Sequence, residues 1–228
     1  MQEIGGQHDV QIDWMLPPEP VSPQGYPGVC QMLQPVREVL HQHNIDVGHL
    51  CGQVWKEALK ISKTDCLLST EQIAPIVMYT LDLYVVLNVK MREATRMRAP
   101  ARKELKKAWG FYIRCLLTTL RLLPPYTGEL FRCIPAKLSD VQKHYTPGSL
   151  VRWNSFSSCT YNASAAWKFS DVEEPVFFAI HVEDGKQISR YSAYPDEREV
   201  LLEPNVVFRV LYMSRRRVVK VMLQVYPQ

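Results

Sequence analysis

Two adjacent prolines, Pro124 and Pro125, split the chain: before them apolar residues recur as on helices, and after them they alternate as on strands. A helix does not run through such a pair, because each ring lacks an amide donor and restricts the residue before it. Upstream, Ser69 and Gln72 form a capping-box signature ahead of IAPIVMYTLDLYVVLNVKM. There Ile73, Ile76, Val77, Leu81, Tyr84, Val85, Asn88 and Met91 follow one helical period, and Pro75 is expected in the first turns, where its missing amide costs little. A further helix is predicted in ARKELKKAWGFYIRCLLTTLRLL, with Leu105, Trp109, Tyr112, Ile113, Leu116 and Leu120 on its buried side. Residues 36–123 thus read as a helical lobe, preceded by a proline-rich N-terminal extension, residues 1–35, whose stretch from 13 to 35 is expected to be extended.

Downstream, residues 124–228 read as a β core. GELFRCI, LVRWNSFSS, PVFFAIHV, REVLLEP, VVFRVLYM and RVVKVMLQVYP are short runs rich in β-branched and aromatic residues. Turn signals at Pro147-Gly148, Asp184-Gly185 and Pro204-Asn205 separate several of them, and Arg215, Arg216 and Arg217 fall where a hairpin turn is expected. A helical lobe followed by a mainly antiparallel, two-sheet core is an α+β architecture.

Composition removes several function classes. With 46% apolar and 22% charged residues the chain is globular. The net charge of +4 is concentrated between Lys90 and Lys107, a stretch without the interleaved aromatic residues that stack bases. It reads as a solvated helix-loop-helix face, and no nucleic-acid partner is expected. No run of about 18 apolar residues suggests a membrane span. MQEIGGQHDV lacks the charged and apolar regions of a secretory leader, so a cytoplasmic or delivered protein is expected, or a secreted one if a leader has been removed. The six cysteines are irregularly spaced and read as reduced thiols, with disulfides open in the secreted case. His41, His43, His49 and Cys51 match no familiar ligand spacing, and no metal is expected. Neither GxGxxG nor GxxxxGK[ST] occurs.

The stretch YSAYPDEREVLLEP places Glu197 and Glu199 two apart at the start of an apolar run. On a strand the two carboxylates share a face, which is unfavourable unless a cation, a substrate or a shared proton compensates. A solvated strand end, with Asp196 and Arg198 as surface charge, is the plain alternative.

Taken in order, Arg132 in LFRCI, the hydroxyls Ser157, Ser158 and Thr160 in FSSCT, and the acidic pair in EREVL resemble the R-S-E triad of the arginine-specific mono-ADP-ribosyltransferases. STEQIAPIVMYTLDLYVVLN is similar to that family's helix before the catalytic core, and YPDEREVLLEPNVVFRV to its acidic loop and strand, so the resemblance covers residues 36–228. It implies NAD as substrate, cleavage of the nicotinamide–ribose bond, and transfer of ADP-ribose to an accessible arginine of a target protein, without a metal.

Carried over, Glu199 is the catalytic carboxylate opposing the ribose cation, Glu197 orients or deprotonates the guanidinium, Arg132 grips phosphate or ribose, and Ser158 holds Arg132 and the ribose in place. Ser157 takes that role if the register is shifted by one, and Thr160 supports. Trp167 and Phe169 are implied for the nicotinamide face and Tyr194 for the acceptor, with plain packing open for each. Two positions depart from the family pattern: Cys133 stands where glycine usually follows the arginine, and Ser158-Cys159-Thr160 replaces Ser-Thr-Ser. An NAD glycohydrolase with water as acceptor, or a non-catalytic module of the same fold, is the alternative.

Overall fold

The computed structural model describes residues 12–14, 23–65, 67–136, 138–168, 175–214 and 219–226, which fall into two units. One is helical, Ile12–Leu123 with the segment Arg190–Pro195; the other, Pro124–Ser189 with Asp196–Gln228, carries the described strands. Arg215, Arg216, Arg217, Cys66 and Phe169 lie outside the described residues.

The helical unit contains α1 (Gly25–Gln31), α2 (Arg37–Gln42), α3 (Val47–Ser62), α4 (Thr70–Met78), α5 (Tyr84–Ala94) and α6 (Ala99–Leu122). Ser69 caps α4: its hydroxyl accepts from the Gln72 N–H at 3.3 Å, and the Gln72 side chain accepts from the Ser69 N–H at 2.9 Å. Two amides that a helix start leaves unpaired are satisfied, a contribution of about 1 kcal/mol. Pro75 lies beyond the first turn, so its missing amide does remove a helical bond. From α6, Tyr112 donates to the Pro75 carbonyl at 3.0 Å and Thr119 to the Gln72 carbonyl at 2.9 Å.

The helix expected to run unbroken to Met91 breaks at Leu81 (φ −92°, ψ 74°) and Asp82 (φ 56°). An aspartate tolerates the left-handed region better than most residues do. The break advances the buried face, so Tyr84 and Val85, expected inside, are 42% and 49% exposed while Leu83, Val86 and Leu87 are buried. Thr70–Ala94 is long and apolar enough to cross a membrane by length and composition, yet 67% of its most apolar window is buried in the protein.

The 13–35 stretch is not simply extended. Pro27 sits in the first turn of α1, where no amide is required, and Val29, Met32 and Leu33 just beyond are fully buried. Ile12 and Trp14 are also buried. The basic residues behave as a solvated face, with Arg96, Arg98, Lys103 and Lys107 exposed; Arg102 instead turns back to the carbonyls of Ala94 and Met97 at 3.2 and 2.9 Å.

The other unit contains β1 (Pro125–Ile134), α7 (Leu138–His144), β2 (Leu150–Trp153), β3 (Ser157–Thr160), α8 (Ala163–Trp167), β4 (Val176–Gln187), β5 (Glu199–Leu202), β6 (Val206–Met213) and β7 (Val219–Val225). The strands pair in the order β1-β3-β5-β4-β7-β6-β2, with a further β1–β4 pairing, and β4–β7 is the parallel pair among antiparallel ones. Two sheets were expected, but the seven strands pair as one: β4 bonds to β1 and β5 on one side and to β7 on the other, and so joins the two groups of strands into a single sheet.

LVRWNSFSS, expected as one strand, divides at Asn154-Ser155-Phe156: β2 pairs with β6 and β3 with β5 and β1, at opposite ends of the strand order. Asp184-Gly185, expected as a turn, lies inside β4. A Cβ on Gly185 would stand 2.7 Å from the Val200 Cγ1, so the glycine serves close approach of β5. At the centre of this unit Trp153 packs against Phe178 and Phe208, ring centroids 5.5 and 4.8 Å away, and its indole N–H donates to the Tyr145 hydroxyl at 2.8 Å.

Candidate active site

β1, β3 and β5 are consecutive in the strand order, and each contributes one member of the expected set: Arg132, Ser158 and Glu199. The β3–β5 register sets Thr160 opposite Glu199 and Ser158 opposite Leu201. Paired residues in an antiparallel ladder share a face, as do residues two apart, so Ser158, Thr160 and Glu199 point to one side. Ser157 points to the other, is fully buried, and donates to the Ser155 carbonyl at 3.4 Å. The pairing of Phe131 with Thr160 sets Arg132 opposite Cys159, on the face of Ser157, so the ladder leaves both serines as candidates.

The Ser158 hydroxyl lies near enough to the Glu199 carboxylate to favour its ionised form, and the Arg132 guanidinium donates to the Ser158 carbonyl at 2.8 Å. That guanidinium also stands 5.8 Å from the centroid of the Trp153 ring, within cation–π range. Glu199 is itself only 5% exposed. Its backbone carbonyl accepts from the Ile188 N–H at 3.0 Å and the Ser189 hydroxyl at 3.1 Å, which fixes the first residue of β5 against the end of β4.

Burial pushes the Glu199 carboxyl up to about 7, with Glu197 adding to the rise and the Ser158 hydroxyl and Arg132 opposing it. A carboxylate poised near neutrality beside a guanidinium suits a group that must meet a transient cation. Burial also raises Glu197 above the usual carboxylate range.

The two glutamates do not share a strand face. Glu197 ends a 3-10 turn, Pro195–Glu197, Arg198 adopts φ 52°, and Glu199 opens β5. The strand alternation expected from their spacing fails because the left-handed Arg198 interrupts it. Glu197 is half-buried, Glu199 is buried, and exposed Arg198 lies between them. Different surroundings, rather than a shared face, distinguish the two carboxyls.

Cys133, beside Arg132, is buried with Ala166 and Phe177 in a small separate cluster, so its thiol lies on the face opposite the Arg132 side chain. Cys159 is buried too, and burial pushes its thiol up to about 12, leaving it unreactive as a nucleophile. Trp167 is 39% exposed and stacks on Phe177, centroids 4.6 Å apart and planes 16° apart. Tyr194 is 49% exposed and belongs to the helical unit's segment Arg190–Pro195. Trp153 and Ser189 support the site and were not singled out from sequence; Trp153 sat in a run read only as a strand, and Ser189 carries no pattern that distinguishes it. Among the described residues no group of three or more His, Cys, Asp or Glu side chains could hold a metal ion. Cys30, Cys51, Cys115, Cys133 and Cys159 are free thiols.

A family model described as NAD:arginine ADP-ribosyltransferase matches residues 50–228. The NAD(+)–arginine ADP-ribosyltransferase Vis of Vibrio splendidus is 31% identical over 112 residues, 46% of this chain and 45% of that protein. Ecto-ADP-ribosyltransferase 5 of Rattus norvegicus is 30% identical over 137 residues, 58% of this chain and 43% of the relative. The chain spans less than half the length of these curated relatives. The crystal structure of Vis in complex with agmatine superposes with a TM-score of 0.58 at 21% identity, covering 77% of this chain and 86% of that one.

Proposed function

The chain belongs to the NAD:arginine ADP-ribosyltransferase family, and on that premise we propose that it cleaves NAD and passes ADP-ribose to an arginine side chain of a target protein. The observation that carries this reading is the convergence of Arg132, Ser158 and a buried Glu199 from three consecutive strands.

In the proposed reaction the bond between ribose C1′ and the nicotinamide nitrogen breaks, and its electron pair leaves with neutral nicotinamide. Positive charge then grows on the ribose, an oxocarbenium-like state of the kind that carboxylates stabilise in glycoside hydrolysis. Ionised Glu199 meets that charge, and because it is buried its field is little screened, so it stabilises the transition state more than the ground state. The Ser158 hydroxyl favours the ionised form of that carboxyl. Arg132, tied by one nitrogen to the Ser158 carbonyl, offers the rest of its planar fork to phosphate or ribose oxygens.

An arginine acceptor must lose a proton to become a nucleophile, and its high pKa makes that loss difficult. Glu197, half-buried and raised in pKa by its surroundings, is the proposed base that orients the guanidinium and takes the proton as nitrogen bonds to C1′. Tyr194 is the proposed acceptor contact and Trp167 the proposed nicotinamide contact. Agmatine, with which Vis was crystallised, ends in the same guanidinium group as arginine and supplies a small test acceptor.

The deciding experiment incubates the purified chain with labelled NAD and agmatine and follows nicotinamide and ADP-ribosyl-agmatine separately. Both products are expected from the wild type, with loss of both in Glu199→Gln; unchanged turnover in that variant would sink the reading.

A further inference from the structure

In the helical unit, the buried side of α3 is Val47, Leu50, Cys51, Val54 and Ala58. Gly52, Trp55, Lys56, Leu59, Lys60 and Lys63 recur at helical spacing on the other side, where charged residues alone would be ordinary. Two apolar side chains interrupt that polar stripe. Leu59 is 39% exposed, and the Trp55 ring meets Tyr26 of α1, 40% exposed, in an edge-on contact with centroids 6.2 Å apart. These residues line an open groove of about 670 Å³, within the range of roughly 300–1,000 Å³ typical of ligand clefts. The exposed apolar part is too small to mark an interaction surface by area alone, so any specificity has to come from the charges around it.

The rim fixes the sign of the occupant's charge. Lys60 is paired with Glu57 at 2.9 Å, while Lys56 and Lys63 are exposed and have no ion-pair partner among the described residues. They lie seven residues apart, Lys56 on α3 and Lys63 capping its end, a span of about 10 Å at 1.5 Å per residue. An extended peptide covers that distance in about three or four residues. A nucleic-acid strand would bring its phosphates against Glu57 as well as the lysines, and the Tyr26 and Trp55 rings meet each other edge-on and present no parallel platform for bases.

We propose that the Tyr26–Trp55–Leu59 groove on α3 docks a short acidic segment with an apolar anchor, borne by the target protein. The anchor fills the space over Leu59 and the aromatic pair, while the acidic residues meet Lys56 and Lys63. This rests on the reading of the chain as a protein-modifying transferase, and it gives the helical unit a part in selecting the protein that is modified. Gly52 offers a way to block the groove without disturbing the fold, since a Cβ there meets nothing within 4 Å.

The test measures fluorescence anisotropy of a labelled hexapeptide of four glutamates and two leucines, and of its lysine-for-glutamate counterpart, with the full chain. The wild type is expected to bind the glutamate peptide selectively, and Lys56→Glu with Lys63→Glu, or Gly52→Trp alone, to weaken binding about tenfold or more. Equal binding by these variants, preference for the lysine peptide, or tighter capture of single-stranded RNA or anionic phosphatidylserine vesicles would overturn the proposal. Nicotinamide release from NAD is measured in parallel and is expected to be unchanged in both variants. If the wild type releases none while selective peptide binding persists, the transferase reading fails and the groove stands; if release is normal and selectivity is absent, the groove alone fails.

Discussion

The Ser158 hydroxyl, one strand away, favours the ionised form of the Glu199 carboxyl, which is nonetheless pushed up to about 7 because burial outweighs it. A carboxyl whose folded pKa lies above its unfolded value, here 4.5, binds its proton more tightly when folded. Its contribution to stability is therefore fully present below that unfolded value and is lost as pH rises through about 7. The span corresponds to at most about 3 kcal/mol. Urea denaturation should show Glu199→Gln more stable than wild type at pH 8 by up to that amount, with the difference nearly gone at pH 4.5. A constant offset across pH would contradict a buried, titrating carboxyl.

The same titration governs the reaction. If ionised Glu199 meets the ribose cation, kcat/KM for nicotinamide release should fall on the acid side with an apparent pKa near 7. Removing the hydroxyl in Ser158→Ala takes away an interaction that favours the charged form, so that acid limb should move to higher pH and the rate at pH 7 should drop by about tenfold or more. An acid limb at the same pH in this variant would show that the hydroxyl does not support Glu199.

Much of this arrangement is legible in the sequence because the signals are local. The capping pair Ser69 and Gln72, the stop at Pro124, and strands β4 to β7 follow from period and turn chemistry. Where the reading fails, a non-local contact or a local left-handed residue has overridden the pattern. Gly185 looks like a turn and is a strand residue because Val200 comes too close for a Cβ. Tyr84 and Val85 continue a helical period and are exposed because a left-handed Asp82 resets the face. Spacing drew attention to Glu197 and Glu199, although the geometry inferred from it required an unbroken strand. The support that Trp153 gives Arg132 is a tertiary contact with no local signature.

The separate surroundings of the acidic pair predict separable functions. Glu197→Gln leaves Glu199 and its partners in place and removes the proposed base for the guanidinium. Nicotinamide release with water as acceptor should stay within about threefold of wild type, while agmatine modification falls by about a hundredfold, in the range attributed to a positioned general base. Equal loss of both products would mean that Glu197 acts on NAD itself.

Arg198 holds φ 52°, a conformation that costs a non-glycine residue about 1 kcal/mol or more and a β-branched residue more still. Its side chain is exposed, so what the site requires at this position is the backbone turn that delivers Glu199 to β5 from the end of the 3-10 turn. Arg198→Gly should therefore keep nicotinamide release and leave stability within about 0.5 kcal/mol, the relief of strain offsetting the added chain entropy. Arg198→Ile should lower stability by about 1–2 kcal/mol and reduce release, because a β-branched residue drives the chain back toward an extended conformation and displaces both glutamates. Measuring thermal midpoint and nicotinamide release for the two variants separates backbone from charge: both remove the guanidinium, so equal losses would assign the role to the arginine side chain, and a loss confined to isoleucine assigns it to the turn.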